Sequence, residues 1–255
     1  MHVRRVADLR ASDGYSIPAY LLEPDAVARG AAVICHGYGS AKAEMFALAL
    51  AVAEGAHCRA LCIDLRGHGE NRAPIGAGVL TDVQAALGYL SADGPVVAIG
   101  HSLGGRLALM TDADLAVAVS PAAVQEVSPQ GRWMFENFPS PLVREPYSGY
   151  VVELLERLGD VPSRAGPCLL VHAARDIPNI IAGTRELAER LPGATVHEVR
   201  GHLRPDVSSE NGLVRYLPRW YNHLELKVNP EVLSVVSEWV GARLGGRDAG
   251  RQPGR

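Results

Sequence analysis

The sequence predicts a single α/β domain built on a mostly parallel sheet with helices on both faces. Short runs that are apolar throughout alternate with segments of helical periodicity, which is typical of buried parallel strands joined by helices. The chain has 255 residues, of which 47% are hydrophobic, and this suits one large α/β domain with a sizeable core. We expect that domain over residues 1–244, followed by a disordered basic tail at 245–255.

The elements follow from the apolar runs and from the turn residues between them. An antiparallel hairpin is predicted first, because residues 3–10 and 16–22 flank the turn signal Ser12-Asp13-Gly14. Buried strands are predicted at six apolar runs: 30–35, 59–64, 94–99, 115–119, 167–173 and 194–199. Helices are predicted at 41–54, 79–92 and 179–191, with a last one capped by Asn229 and begun by Pro230.

The alternation breaks at residues 121–165, where prolines and aromatic residues cluster. We predict an insertion over the carboxyl edge of the sheet, a small lid, because long excursions in compact domains usually cover or build binding sites. The alternative is an excursion packed on the side of the domain. The clustered aromatic residues are Trp133, Phe135, Phe138, Tyr147 and Tyr150, of which Trp133 and Phe138 are predicted to bind substrate. Residues 203–228 are predicted to be irregular, with a helix near 212–221 as an option.

Composition excludes several classes of partner. The net charge is −3 and there is no basic stripe, which argues against nucleic acid. The sequence shows neither the apolar run of a signal peptide nor a stretch able to span a bilayer. The four cysteines lie in apolar runs without a Cys-x-x-Cys motif, so we expect reduced, buried thiols and a cytoplasmic protein. A disulfide between Cys35 and Cys62, on neighbouring strands, stays open as an alternative.

The segment 100–105 carries the strongest chemical signal of the chain. Its sequence is Gly100-His101-Ser102-Leu103-Gly104-Gly105, between a predicted strand and a run of good helix formers. In this context Gly-x-Ser-x-Gly is a nucleophile elbow, in which a sharp turn exposes the serine hydroxyl beside a helix N-terminus. The glycines are expected because the neighbouring chain leaves no space for side chains. Ser102 is therefore predicted to be a nucleophile.

A serine nucleophile needs a base, and a histidine base needs an acceptor behind it. Elimination among the nine histidines leaves His202 and His223, since the others lie in strands, strand starts or loop motifs. Asp176 ends a buried strand, where its carboxylate can accept from a histidine Nδ1–H. Asp176 could instead cap the helix near Pro178, and Asp160 and Asp206 are rivals without a strand-end context. The histidines lack metal-ligand spacing, so no metal or other cofactor is expected.

Three motifs together resemble the α/β-hydrolase superfamily, most closely its monoglyceride lipases, esterases and serine aminopeptidases. They are His36-Gly37 after an early strand, Asp64-x-Arg66-Gly67-His68-Gly69 after the next, and the Gly-His-Ser-x-Gly-Gly elbow. The resemblance implies an eight-stranded, mostly parallel sheet and the chain order nucleophile, acid, histidine.

The resemblance also assigns individual residues. It implies the triad Ser102, Asp176 and His202, because His202 follows its strand almost directly. His223 stays as an alternative, since the histidine of the family usually lies shortly before the last helix. The oxyanion hole is expected from the backbone N–H groups of Leu103 and Tyr38, and the loop from Asp64 to Gly69 is expected to be scaffold.

The expected function is hydrolysis of a small-molecule carboxylic ester or thioester through an acyl-enzyme. A serine peptidase acting on short peptides is the alternative, and it would need an acidic group to hold the substrate ammonium. The acids of the insertion that could supply it are Glu126, Glu136, Glu145, Glu153 and Glu156. A non-catalytic binding module on the same fold is a third hypothesis. A homodimer is compatible with the sequence.

Overall fold

The computed structural model describes residues 1–123, 127–144 and 148–245. Its strands, in chain order, are β1 His2–Val6, β2 Ala19–Glu23, β3 Gly30–Cys35, β4 Cys58–Ile63, β5 Val96–His101, β6 Leu115–Val119, β7 Cys168–Ala173 and β8 Ala194–Val199. They form one sheet in the spatial order β1-β2-β4-β3-β5-β6-β7-β8. Strand β1 pairs antiparallel with β2, and β2 pairs antiparallel with β4. All other neighbours are parallel, so the predicted fold class is confirmed.

Eight α-helices are described around this sheet. They are α1 Phe46–Gly55, α2 Val79–Leu90, α3 Leu103–Leu109, α4 Pro129–Asn137, α5 Ser148–Leu158, α6 Pro178–Arg190, α7 Gly212–Glu225 and α8 Pro230–Gly245. Helices α1 and α8 cover one face of the sheet, and α2, α3 and α6 cover the other. Within the described residues, none of the helices combines the length and hydropathy that a membrane crossing requires.

The central strands are apolar at every position because both of their faces are covered. In β3, Ala32 and Ile34 pack towards α1 and α8, whereas Ala31 and Val33 pack towards α2 and α3. A strand buried on both faces cannot show the alternating pattern of a half-exposed strand. The continuous apolar runs of the sequence therefore locate the centre of the sheet.

The four cysteines are free and buried, as the sequence predicts. Cys35 and Cys62 lie on the adjacent strands β3 and β4, but they form no disulfide. Burial raises the pKa of the Cys62 thiol to about 12, and that of Cys58 to about 12 as well. Thiols so far from ionisation are poor nucleophiles and poor metal ligands.

The insertion at 121–165 contains α4 and α5 and lies over the carboxyl edge of the sheet. Its Val143 forms a β-bridge with His68, and the N–H of Gly69 donates to the carbonyl of Leu142 at 2.8 Å. Its aromatic residue Phe135 packs edge-on against Tyr38, with ring centroids 5.4 Å apart. The predicted aromatic residue Tyr147, the acids Glu126 and Glu145, and residues 246–255 of the predicted tail lie outside the described residues.

Helix α7 is longer than the option considered from the sequence and reaches Glu225. Asn211 caps it by accepting from the backbone N–H groups of Leu213 and Val214. Pro218 lies inside the helix, where proline normally disfavours helical structure. Tertiary packing compensates, because the apolar face of α7 packs with α4 and α6 through a cluster that includes Tyr216.

The turn between β5 and α3 gives the first prediction, Gly100→Ala. A Cβ at Gly100 would lie 2.1 Å from the backbone carbon and oxygen of Gly104. Neither atom can move without displacing α3, so we expect a loss of about 3 kcal/mol or more in the free energy of unfolding, measured by denaturant titration.

The matched control is Gly88→Ala in the exposed part of α2, where a Cβ meets nothing within 4 Å. Alanine has the higher helix propensity there, so this variant should gain about 0.5–1 kcal/mol. A Gly100→Ala protein as stable as the unaltered chain would refute the close approach of the two backbones.

Candidate active site

Ser102 lies at the turn from β5 into α3, in a conformation that serine rarely adopts. Its φ is 53° and its ψ is −115°. The turn is held by the N–H of Ser102, which donates to the carbonyl of Val119 at 2.9 Å. A Cβ at Gly104 would lie 2.4 Å from the carbonyl oxygen of Cys35, so the glycine lets β3 approach α3. The expected clashes at Gly100 and Gly104 are confirmed, and strain of this kind collects at functional sites.

His223 lies between Ser102 and a buried carboxylate. Its Nε2 is 3.0 Å from the Oγ of Ser102, and its Nδ1 is 3.1 Å from the Oδ1 of Asp176. Asp176 is inaccessible to solvent and lies in the turn between β7 and α6, while His223 is buried in the last turn of α7. The three side chains thus form one hydrogen-bonded line that runs from carboxylate to imidazole to hydroxyl.

The structure does not bring His202 to this line, so the expectation that His202 completes the triad is wrong. His202 is exposed in the turn after β8 and has a φ of 57°. The N–H of Gly201 donates to Glu231 at 2.8 Å, which ties this turn to α8. The chain instead makes its long excursion first and delivers His223 from the end of α7. The sequence signal for His223 was its position shortly before Asn229 and the last helix.

Two residues that sequence reasoning did not assign hold the line in place. Ser120, which follows β6, donates from its Oγ to the Oδ2 of Asp176 at 2.5 Å. The Nε2–H of His101 donates to the backbone carbonyl of His223 at 2.8 Å. Burial lowers the pKa of the His101 imidazole well below its ordinary value, so this ring is neutral beside His223.

Asp176 accepts hydrogen bonds on both carboxylate oxygens. Besides His223, the N–H of Ile177 donates to Oδ1 at 2.7 Å, and the N–H of Ala173 approaches Oδ2 at 3.4 Å. A buried carboxylate is costly unless such donors surround it. The helix-capping alternative for Asp176 is wrong, because Ile177 occupies the N-cap position of α6 and no side chain caps that helix.

A cavity of about 280 Å³ opens onto Ser102 and His223. Its walls are mainly apolar, and they come from α4, α5, α6, α7 and the segment after β6. The apolar and aromatic lining residues include Leu103, Ala122, Val127, Phe135, Val151, Leu155, Ile177, Ile180, Tyr216, Trp220 and Leu224. One end is polar, because Lys227 and Glu44 form an ion pair there at 2.6 Å. The cavity suits an apolar group joined to a polar reacting centre.

Comparison with known proteins agrees with this geometry. The model of a family described as the alpha/beta hydrolase family matches residues 32–236. The chain belongs to the alpha/beta hydrolase family. No curated protein matches it in sequence.

Solved structures resemble this hydrolase along most of its length, at low sequence identity. An esterase from Pyrobaculum calidifontis superposes with a TM-score of 0.65 at 17% identity, covering 96% of this chain and 85% of that one. A thermophilic esterase from Thermogutta terrifontis gives 0.63 at 16% identity, with coverages of 94% and 99%. A soluble variant of monoglyceride lipase from Saccharomyces cerevisiae gives 0.65 at 13% identity, with coverages of 94% and 95%. These likenesses establish the fold.

The loop after β3 of the hydrolase passes directly over Ser102. A Cβ at Gly37 would lie 3.0 Å from the Cβ of Ser102. The Nε2 of His36 accepts from the N–H of Leu65 at 3.0 Å, so its Nδ1 carries the proton and donates to the carbonyl of Gly37 at 2.7 Å. This bond fixes the peptide unit shared by Gly37 and Tyr38, and with it the direction of the Tyr38 N–H.

The loop after β4 supports the site from behind, in agreement with its expected scaffold role. Asp64 is inaccessible to solvent and accepts from the ammonium of Lys42 at 2.5 Å and from the N–H of Glu70 at 2.9 Å. The ring of His68 packs edge-on against Tyr38, with 5.3 Å between centroids. These contacts brace the loop that carries Tyr38.

The two aromatic residues predicted to bind substrate lie outside this cavity. The side chain of Trp133 is 39% exposed and that of Phe138 is 63% exposed, and their rings pack edge-on 5.7 Å apart. Phe135 and Trp220 line the cavity instead, packed against each other at 5.2 Å. Trp133 and Phe135 lie on the same short helix, where residues two apart point in different directions, and composition alone cannot tell which one faces inwards.

Proposed function

We propose that this hydrolase cleaves carboxylic esters through an acyl-enzyme formed on Ser102. The observation that carries the proposal is the unbroken hydrogen-bonded line from Asp176 through His223 to Ser102. Hydroxyl, imidazole and carboxylate in this arrangement are the parts that nucleophilic acyl transfer requires. The similarity to esterases and to a monoglyceride lipase supports the same reaction class.

Acylation begins when the Oγ of Ser102 attacks the ester carbonyl carbon and its proton passes to the Nε2 of His223. Asp176 accepts from the Nδ1–H of His223 and stabilises the imidazolium that forms. The tetrahedral oxyanion is received by the backbone N–H groups of Leu103 and Tyr38. Leu103 is the first residue of α3, where N–H groups lack acceptors within the helix.

The intermediate collapses when the alcohol leaves with the proton from His223. Water then enters, gives a proton to the same Nε2, and attacks the acyl carbon. The bond between the acyl carbon and the Oγ of Ser102 then breaks, and Oγ takes the proton back from the Nε2 of His223. The carboxylic acid is freed and the starting state is restored. Each proton is accepted and returned at one nitrogen, so these residues carry out both half-reactions without a further acid or base.

The apolar lining of the cavity favours an ester whose acyl group is apolar. A thioester of the same acyl group fits the same chemistry. The insertion at 121–165 supplies Val127, Phe135, Val151 and Leu155 to this lining, and we propose that it serves as the lid of the site.

An aminopeptidase is disfavoured by the charges around the cavity. Among the described acids of the insertion, Glu136, Glu153 and Glu156 do not line the cavity. Glu44 does line it, but Lys227 is already its partner at 2.6 Å, and Ser40 also donates to it at 2.6 Å. A substrate ammonium would have to displace a cation that is already present.

A purely binding role is disfavoured because the complete line of Ser102, His223 and Asp176 has reactive geometry. The free cysteines fit a reducing compartment, so cytoplasmic location remains our prediction, and a homodimer stays compatible with the sequence.

The triad is tested by comparing Ser102→Ala, His223→Ala and His202→Ala on p-nitrophenyl butyrate. Removal of Ser102 or His223 should lower kcat by on the order of 10⁴-fold or more, because each is needed for proton transfer or attack. His202→Ala should keep most of the activity, since His202 is exposed and outside the site.

Labelling of Ser102 by a fluorophosphonate provides a readout that does not depend on the ester chosen. The label should appear on Ser102 in the unaltered protein and in His202→Ala, and should form much more slowly in His223→Ala. An inactive His202→Ala protein beside an active His223→Ala protein would overturn the assignment.

A further inference from the structure

A second cavity lies beside the first and does not reach Ser102. Its volume is about 270 Å³, and α4, α7 and the loop after β3 enclose it. The residues that line this outer cavity but not the inner one are Met134, Phe138, Pro139, Ser140, Leu217 and Tyr221. Its lining is mainly apolar and rich in aromatic rings, and none of its lining residues is charged.

Three aromatic rings stand between the two cavities. Tyr38, Phe135 and Trp220 line both spaces. Phe135 is the middle ring, edge-on to Tyr38 at 5.4 Å and to Trp220 at 5.2 Å. Leu224 and the backbone of Gly39 also border both cavities. The three rings are the part of this partition that can move by side-chain rotation, and their rotation can join the cavities.

The position of the leaving group relative to His223 decides which part of an ester enters the outer cavity. The leaving oxygen must lie within hydrogen-bond reach of the Nε2 of His223, which protonates it. The alcohol group therefore lies on the α7 side of the reacting carbon, and the acyl group lies away from it. The outer cavity is walled by Leu217, Trp220 and Tyr221 of α7, whereas Val151 and Leu155 of α5 line only the inner cavity.

We propose that the outer cavity binds the alcohol group of the ester, and that this group is an apolar one carrying an aryl ring. The proposal rests on the proposed function and names its leaving-group subsite. Ring-lined walls favour an aryl group through edge-to-face contacts. The polar end of the inner cavity holds the ion pair of Lys227 and Glu44, where an apolar group would gain nothing.

The experiment compares Phe138→Ala and Leu217→Ala with Leu155→Ala on two series of esters. One series keeps a butyryl group and varies the alcohol from methanol to 2-phenylethanol; the other keeps p-nitrophenol and lengthens the acyl group. Phe138→Ala and Leu217→Ala should lower kcat/KM for 2-phenylethyl butyrate about tenfold relative to methyl butyrate, without changing the acyl-length preference. Leu155→Ala should change the acyl-length preference alone.

The rate of deacylation provides a further check, because all butyrate esters give the same butyryl-enzyme. Where its hydrolysis limits turnover, Phe138→Ala should leave kcat unchanged, since the alcohol has already departed. Val214→Ala is the matched control on α7, since Val214 is exposed and lines neither cavity. Equal effects of Phe138→Ala on both series would overturn the assignment of the outer cavity.

Binding of 2-phenylethanol to the Ser102→Ala protein separates this proposal from the proposed function. Binding should be saturable and should weaken about tenfold when Phe138→Ala is added. A protein that binds the alcohol in this way but hydrolyses no ester would keep the outer site and refute the function. Absence of binding, beside normal ester hydrolysis, would refute the outer site alone.

A second inference comes from Ser120, independently of the cavities. Ser120 is inaccessible to solvent, and its N–H donates to the carbonyl of Val171 on β7 at 2.7 Å. The backbone of Ser120 is therefore anchored to β7, the strand that precedes Asp176. Without this hydroxyl, the donor left to Oδ2 of Asp176 among the described residues would be the N–H of Ala173 at 3.4 Å.

We infer that Ser120 is a positioning residue that fixes the rotation of the Asp176 carboxylate and so aims Oδ1 at His223. Ser120→Ala should lower kcat about tenfold with little change in KM, because the loosened group acts in the transition state. Thr111→Val is the structural control. It removes another buried hydroxyl, which donates to the carbonyl of Ala108 at 2.8 Å away from the site, and should leave kcat unchanged.

Combination with Asp176→Asn shows whether Ser120 acts through Asp176. If it does, Ser120→Ala should cost little further activity once the carboxylate is gone, so the two losses are non-additive. A full tenfold loss in both backgrounds would show that Ser120 acts on something else and overturn the inference. If the protein hydrolyses no ester, the same four proteins of the double-mutant cycle are compared by the rate at which a fluorophosphonate labels Ser102.

Discussion

The site depends on a close approach of two backbones at the carboxyl edge of the sheet. A Cβ at Gly104 would lie 2.4 Å from the carbonyl oxygen of Cys35, and one at Gly100 would lie 2.1 Å from Gly104. Because both glycines lack a side chain, α3 begins directly beside the end of β3. The same contact brings the loop of His36 and Tyr38 over Ser102, so one packing constraint positions the proposed nucleophile and the proposed oxyanion donors. The strained φ of Ser102 is a consequence of that constraint.

Much of the fold could be predicted from the sequence because its signals are local. Apolar runs locate strands covered on both faces, and the three glycine-containing motifs locate the turns at their carboxyl ends. The order of the strands across the sheet was not predicted, because the apolar runs themselves do not determine which strands become neighbours. The last residues of α7 could not be predicted, since Pro218 weakens the local helical signal and tertiary packing around Tyr216 outweighs it.

The site residues that lie close to a strand end could be predicted from the sequence. The histidine could not, because a long connecting segment brings it to the site. Ser102 directly follows β5, and Asp176 lies in the short turn after β7, so the positions of both residues are set by the sheet. The histidine reaches the site on a segment whose path no local pattern determines, and both His202 and His223 satisfied the order of the triad. The deciding fact is three-dimensional: α7 crosses the carboxyl edge and its last turn lies over Ser102, where His101 donates to the carbonyl of His223.

The path of α7 links the base to substrate choice. One helix carries His223 towards Ser102 and presents Leu217, Trp220 and Tyr221 to the outer cavity. The alcohol that His223 protonates therefore contacts these side chains. The opposite wall of that cavity comes from α4, in the insertion, whose Phe135 packs on Trp220. A change in the packing of α4 against α7 would therefore alter the alcohol subsite while the line from Asp176 to Ser102, fixed by the sheet and by Ser120, stays in place. Within this fold, specificity for the leaving group can thus vary separately from the bond-breaking machinery.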